Sequence, residues 1–263
     1  MRSVFGIVCL LLLGCAVGNG AGNKTNTEAT RTVDTVLDKL NQSARSLKTY
    51  QSQIEYLFLQ PEMFDAKTLR KGSLFYKRTP HGSYLRINFA TKKEDDFDEQ
   101  AYAEHYIFDG EWLTYVNFAD KTIQKRQMAE PNHPIDAFDL AQESMPIIGF
   151  SDSQDLKKEF DIDLIKPQAE EKGLLHLQLK VKPESKFKDD YLTIEFWVSD
   201  TRWLPVKVEA LTTEKEIYQM RFLNPKINQT LNDNIFGFEA PAGFKPPEIY
   251  LLKPVGSDSS KQE

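Results

Sequence analysis

The chain has little of what covalent crosslinking and catalysis require. Its two cysteines, Cys9 and Cys15, both lie near the N-terminus. A mature form cut at Ala16-Val17-Gly18 would contain no thiol, which excludes disulfides and thiolate nucleophiles. The four histidines, His81, His105, His133 and His176, have no HxxxH, HxH or His-carboxylate spacing that would put two ligands on one face, so no metal site is expected. No GxSxG, P-loop or GxGxxG occurs, and neither a cofactor nor an enzymatic activity is expected. The formal net charge is -6, with acidic and basic residues interspersed, so the concentrated basic footprint of a nucleic-acid binder is missing. Beyond the N-terminus no apolar run approaches the ~20 residues of a membrane-spanning helix.

What is present begins with a three-part secretory leader: Arg2, an apolar stretch from Val4 to Leu13, then small residues from Gly14 to Gly20. Residues 1–18 are expected to be a signal peptide and 19–30 a polar linker. A second reading takes Leu12-Leu13-Gly14-Cys15 as a lipobox, with residues 1–14 removed and Cys15 acylated as a membrane anchor. Both readings export the protein, to the periplasm in a bacterial host. Asn23, Asn41 and Asn228 begin glycosylation sequons, which matter only in a eukaryotic secretory pathway.

Val33, Val36, Leu37, Leu40, Ala44 and Leu47 recur at helical spacing, with Asp34, Asp38 and Lys39 between them, and predict an amphipathic helix in need of a surface. From Gln51 the period changes to two. Ile54, Tyr56 and Phe58 share a parity, as do Leu74, Tyr76 and Arg78, and Leu85, Ile87 and Phe89 after a turn at Thr79-Pro80-His81-Gly82. Tyr106 to Val116 reads YIFDGEWLTYV, a β-hairpin whose Asp109-Gly110 pair suits a type I′ turn. Either Leu113 and Tyr115 or Trp112 and Val116 could face inward. A further strand is expected over Lys121 to Met128. Ile135 to Phe160, broken by Pro146 and Gly149, predicts short helices with an irregular joint. Strands resume at Leu175 to Val181, at Leu192, Ile194, Phe196 and Val198, at Val206 to Ala210 and at Tyr218 to Phe222, with a tight turn at Asp200-Thr201-Arg202. Phe236 to Phe244 reads as a short edge strand and residues 253–263 as a disordered tail. The fold class is α+β: one domain over residues 31–252, with a large antiparallel sheet of about ten strands curled into an incomplete β-barrel under a helical lid.

Few polar residues invite a role. His176 falls on the polar parity of its strand and is expected to face solvent. The acidic run from Glu94 to Glu99 lacks the ligand alternation and mid-loop glycine of a calcium loop, and reads as a solvated loop. Arg78 shares the parity of Leu74 and Tyr76, so its guanidinium either finds acceptors at the end of an apolar face or points to solvent where the strand stops.

Taken in order, four segments resemble the bacterial outer-membrane lipoprotein carrier family of the LolA type. Gly72 to Arg78, GSLFYKR, is similar to the family's strand beginning with Gly and ending in Lys-Arg, although the proline that follows comes one residue late as Pro80. Asp109-Gly110-Glu111-Trp112-Leu113 with Tyr115 resembles its hairpin, Trp197 to Val208 its late strand pair, and Phe236 to Gly243 its closing segment. The resemblance covers roughly residues 32 to 245. It implies a half-barrel cavity, closed by the N-terminal helix and a central lid, that accepts lipoprotein acyl chains or other lipids without catalysis. Arg78 matches the family arginine that hydrogen-bonds to lid backbone in the closed state. Tyr56, Phe58, Leu74, Tyr76, Leu85, Ile87, Phe89, Leu113, Tyr115, Phe196 and Phe222 are the wall candidates, and each also fits ordinary core packing. A monomer is expected, with an envelope membrane protein as a loading or delivery partner. The loop from Lys92 to Gln100 is longer than the family's, and Cys15 would suit a lipid-anchored receptor instead of a soluble carrier. A sensor or protein-interaction module on the same fold is the alternative.

Overall fold

The structure, a computed structural model, describes residues 32–63, 65–137, 153–166 and 171–252. The leader, the linker, Cys15, most of the expected central helical segment and the C-terminal tail lie outside these residues. The elements run α1 (Val33–Arg45), β1 (Thr49–Gln60), β2 (Ala66–Thr79), β3 (Gly82–Glu94), β4 (Gln100–Phe108), β5 (Trp112–Asn117), β6 (Thr122–Gln127), α2 (Ser153–Glu159), β7 (Phe160–Ile165), β8 (Leu174–Val181), β9 (Tyr191–Ser199), β10 (Pro205–Thr212), β11 (Ile217–Ile227), a 3-10 turn (Asp233–Phe236) and β12 (Glu248–Tyr250).

All of the strands belong to one curved, 12-stranded sheet that does not close into a barrel, in the order β12-β6-β5-β4-β3-β2-β1-β11-β10-β9-β8-β7. Two antiparallel meanders, β1 to β6 and β7 to β11, are fused where β1 pairs with β11. Among the described strands only β12 is parallel to its neighbour, β6.

The expectation of about ten strands was therefore low. Phe160, assigned from sequence to the central helices, opens β7 instead, because Phe160, Ile162 and Leu164 alternate and pair with β8. The edge strand expected over Phe236 to Phe244 is not one: its start is the 3-10 turn, capped by the Asn232 side chain, and strand structure resumes only at Glu248. The turn at Asp109-Gly110 is not type I′, since only Gly110 has positive φ (99°). The Asp109 carboxylate accepts from the Glu111 and Trp112 N–H groups at 3.0 and 2.7 Å and sets the turn itself. Leu192 does not share the inward face of Ile194. It is the extra residue of a bulge between Tyr191↔Thr212 and Thr193↔Leu211, and it is 44% exposed.

Helix α1 begins at Thr32, whose hydroxyl accepts from Thr35 N–H, and it has Asp34 in its first turn and Arg45 in its last. Its buried stripe, Val36, Leu37, Leu40 and Ala44, packs into the same core as the inner face of the sheet. Lys39 lies over the ring of Trp203 in the β9–β10 turn, and Asp34 pairs with Lys157 of α2. The helix thus covers one end of the inner face, where β1 begins and β2 ends.

The outer face is covered too, over β3 to β5. The segment after β11 crosses it as a strap: Phe236 meets Tyr84, and Phe238 and Phe244 meet Phe118, which in turn packs on His105. Arg86 fastens the strap by donating to Ile235 O and Gly237 O at 2.8 and 2.7 Å. This cover explains why Val116 and Ile107 are buried although Leu113 and Tyr115 are the residues that face the core cluster. A second buried patch on the outside places His176 within it. Far from facing solvent, it stacks on Trp197 at 4.3 Å and bonds Glu195 at 2.6 Å, and Lys207 covers the same indole.

Gly72 allows β2 and β3 to approach at a bulge; a Cβ there would lie 1.9 Å from Asn88 O. Gly72→Ala is expected to cost about 1–3 kcal/mol in urea unfolding, and an unchanged midpoint would contradict the close approach. Burial and then the Arg86 guanidinium, with its Nη2 3.2 Å from the ring, push His105 down from 6.5 to about 4. Because the unfolded chain takes up that proton more readily, this contribution is intact above pH 6.5 and is lost as the pH falls toward 4. His105→Gln should flatten the fall in unfolding midpoint across that window; equal slopes would exclude the effect.

Candidate functional site

Every wall candidate projects from the inner face. Tyr56, Leu74, Tyr76, Leu85, Ile87, Phe89, Leu113, Phe196 and Phe222 are buried in one cluster, with half-buried Phe58 and Tyr115 packed against it. Register explains the grouping: Tyr76↔Leu85↔Phe108↔Leu113 and Leu74↔Ile87↔Tyr106↔Tyr115 run across β2 to β5 as rows on one side. The result is a continuous apolar floor that spans both meanders.

Arg78 stands where that floor meets α1, and it does find acceptors. Its Nη1 donates to Arg45 O at 2.8 Å and Ala44 O at 3.3 Å, and its Nε donates to Asp136 at 3.0 Å. The two carbonyls belong to the last turn of α1, where helix carbonyls lack intrahelical donors and a cation is favoured. Asp136 also accepts from the buried Tyr76 hydroxyl at 3.2 Å. The chain around it is pinned by Ala137 N–H on Ser83 Oγ and Ile135 N–H on Gly110 O. One guanidinium thus ties together the sheet, the N-terminal helix and the start of the central segment. The backbone acceptors described for it belong to α1, where the family resemblance would place them in the lid.

The opposite end of the inner face holds a polar group that sequence reading missed. Glu104 is 2% exposed; it accepts from the hydroxyls of Tyr102 and Tyr106 and lies 3.5 Å from Arg70 Nη1. Arg70 is opposite Tyr56, and Glu104 is opposite Phe89, so both project inward. Burial, with the Glu104 charge next, pushes the Tyr106 phenol above its ordinary range and keeps it a donor. The rings of Tyr56, Phe58, Phe89, Tyr106, Tyr115 and Tyr218 pack around the pair with centroids 4.7 to 6.4 Å apart. A signal was available: Glu104 shares the parity of Tyr102, Tyr106 and Phe108, and Arg70 that of Leu74 and Tyr76.

Other candidates have structural partners. In the acidic loop Asp95 accepts from Lys67 N–H and Glu99 pairs with Lys71. The Asn228 side chain accepts from Lys48 and Thr49 N–H. Among the described residues no group of three or more His, Cys, Asp or Glu side chains could hold a metal ion, and no helix is long and apolar enough to cross a membrane.

No family model matches this chain, and no curated protein does. Several solved structures are similar. An uncharacterized conserved protein of Thermus thermophilus shares 8% identity at a TM-score of 0.47, covering 84% of this chain and all of that one. The MucA/MucB complex of Pseudomonas aeruginosa gives 11% and 0.45, with 78% of this chain covered and only 60% of that chain. A LolA superfamily protein of Nitrosomonas europaea gives 12% and 0.34, covering 80% and 99%. With every one of these scores below 0.5, the similarities carry no argument about ligand or partner.

Glu104→Ala would leave two phenols and a guanidinium without their acceptor. A loss of roughly 3 kcal/mol in urea unfolding is expected, largely recovered in the Arg70→Met/Glu104→Leu double variant. A single variant within 0.5 kcal/mol of wild type, by the ~0.5 kcal/mol scale of surface substitutions, would show the pair to be inert.

Proposed function

We propose that this is an exported, non-enzymatic protein that binds acyl chains of lipoproteins or other lipids on the inner face of its open sheet, either as a soluble carrier or, if Cys15 is acylated, as an anchored receptor. The observation that carries this reading is the Arg78 clasp. An apolar floor that spans two meanders is held under a helix by hydrogen bonds from one side chain to Ala44 O, Arg45 O and Asp136. Such a closure can open without unfolding the sheet. An acyl chain entering beneath it gains about 0.8 kcal/mol per buried methylene, so ten to fourteen of them supply roughly 8 to 11 kcal/mol. That is enough to offset a few hydrogen bonds and needs no catalytic residue. The clasp then sets the balance between closed-empty and open-loaded states, and release falls to a monomer meeting its envelope partner.

The second reading, a protein-interaction module, rests on a different observation. Strand β12 is a sheet edge whose Ile249 is 61% exposed, followed by exposed Leu251 and Leu252. An extended peptide could add to it.

Arg78→Leu is expected to bind a fluorescent fatty-acyl probe about three- to tenfold more tightly and to hand it to acceptor vesicles more slowly, because the closed state is weakened. Unchanged affinity and transfer rate would remove the clasp from the mechanism. If no acyl probe binds the wild-type protein, while an envelope protein is captured through the β12 edge, the second reading replaces the first.

A further inference from the structure

The geometry points to a polar subsite at the Arg70–Glu104 pair that receives an uncharged carbonyl, the ester or amide of an acylated ligand, at the end of the inner face remote from Arg78. The inference rests on the acyl-binding reading above and adds where the polar group of the ligand is held.

Four observations carry it. First, the pair lies on the same face as the apolar floor, opposite Tyr56 and Phe89, so hydrocarbon on the floor reaches it without crossing the sheet. Second, Arg70 has a donor left over. Its Nη1 is directed to Glu104, whereas its Nε is buried with no hydrogen-bond partner among the described residues. A buried charged donor without an acceptor is costly and rare in a folded protein. A ligand carbonyl would satisfy it.

Third, the charge is already balanced. Arg70 faces Glu104, and the neighbouring inward cation, Lys92, bonds Glu94 at 2.9 Å. A phosphate or carboxylate entering here would have to share the guanidinium with a buried carboxylate, whereas a neutral acceptor would not. Fourth, this end can be reached. Arg70, Tyr102, Phe58, Tyr115 and Tyr218 are only half-buried, in contrast to the fully buried Leu74 and Tyr76 toward the clasp. Their ring faces accept the chain on either side of the carbonyl, and the Tyr102 ring, 5.5 Å from the guanidinium, holds Arg70 in place.

The test compares pyrene-labelled probes of one chain length that end in a methyl ester, an N-methylamide, a methyl group or a free carboxylate. Wild-type protein should bind the ester or the amide about tenfold more tightly than the plain alkyl probe, as one hydrogen bond to a charged donor provides; the tighter of the two distinguishes an O-acyl from an N-acyl ligand. The carboxylate should bind no better than the alkyl probe. Arg70→Lys keeps the charge beside Glu104 but lacks the Nε–H group. It should lose the carbonyl preference, so that ester, amide and alkyl probes bind with equal affinity, while still melting as a folded protein. Equal wild-type affinity for ester, amide and alkyl probes, or tightest binding of the carboxylate, would overturn the subsite and leave the acyl-binding reading intact. A parallel loss of all probes in Arg70→Lys would make Arg70 structural only. No binding of any probe to the wild type would overturn both.

Discussion

The antiparallel pairing of β1 with β11 is the constraint from which the rest follows. It joins two meanders into one sheet of 12 strands while β6 and β7 stay at or near opposite ends of the strand order. A sheet of that size curls instead of lying flat. Because its edges do not meet, its apolar inner face cannot be covered by the sheet itself. Cover has to come from elsewhere in the chain, and among the described residues it is given by α1 and by Met128, Ile135 and Ala137 after β6.

The two ends of the inner face therefore have different physics. Toward the clasp, fully buried Leu74, Tyr76, Leu85 and Ile87 line the floor, and the polar contacts include those of Arg78, Asp136, Tyr76 and Ser83. Toward the other end, hydroxyls and a buried ion pair interrupt the apolar surface. A ligand with an apolar body and one polar group would suit such a gradient, because each part meets matching chemistry along one direction. The outer face is organised differently: its strap and its His176–Trp197 stack cover apolar side chains of β3 to β5 and of β8 and β9.

Much of this was legible in the chain. Period-two alternation over Ile54 to Phe58, Leu74 to Arg78 and Leu85 to Phe89 placed the inner floor, since a strand has only two faces and one of them had to be apolar. The helical stripe from Val33 to Leu47 announced a cover for the same reason. Arg78 was visible as a cation on an apolar parity. Glu104 and Arg70 were visible in the same way, but a lone charge on one strand reads as a strand end until its partner is known. Their partnership depends on β2, β3 and β4 lying side by side in one register, which no local pattern states.

Sequence by itself determined the first helix and most of the strands, because side-chain alternation and helical spacing are local properties of the backbone; it missed β7 and β12 and left the faces of β5 open. Tertiary structure alone decided what lies against each face. Trp112 and Val116 were as apolar as Leu113 and Tyr115, and only the register with β4 turned Leu113 and Tyr115 into the core and Val116 to the outside. His176 looked solvent-facing until Trp197, on the neighbouring strand, was brought against it. Gly110, read as a turn residue, also lies so close to Pro134 that a Cβ there would come within 2.9 Å of that ring. In each case the deciding contact is between residues distant in sequence, and their meeting is set by the pairing and curling of the open sheet.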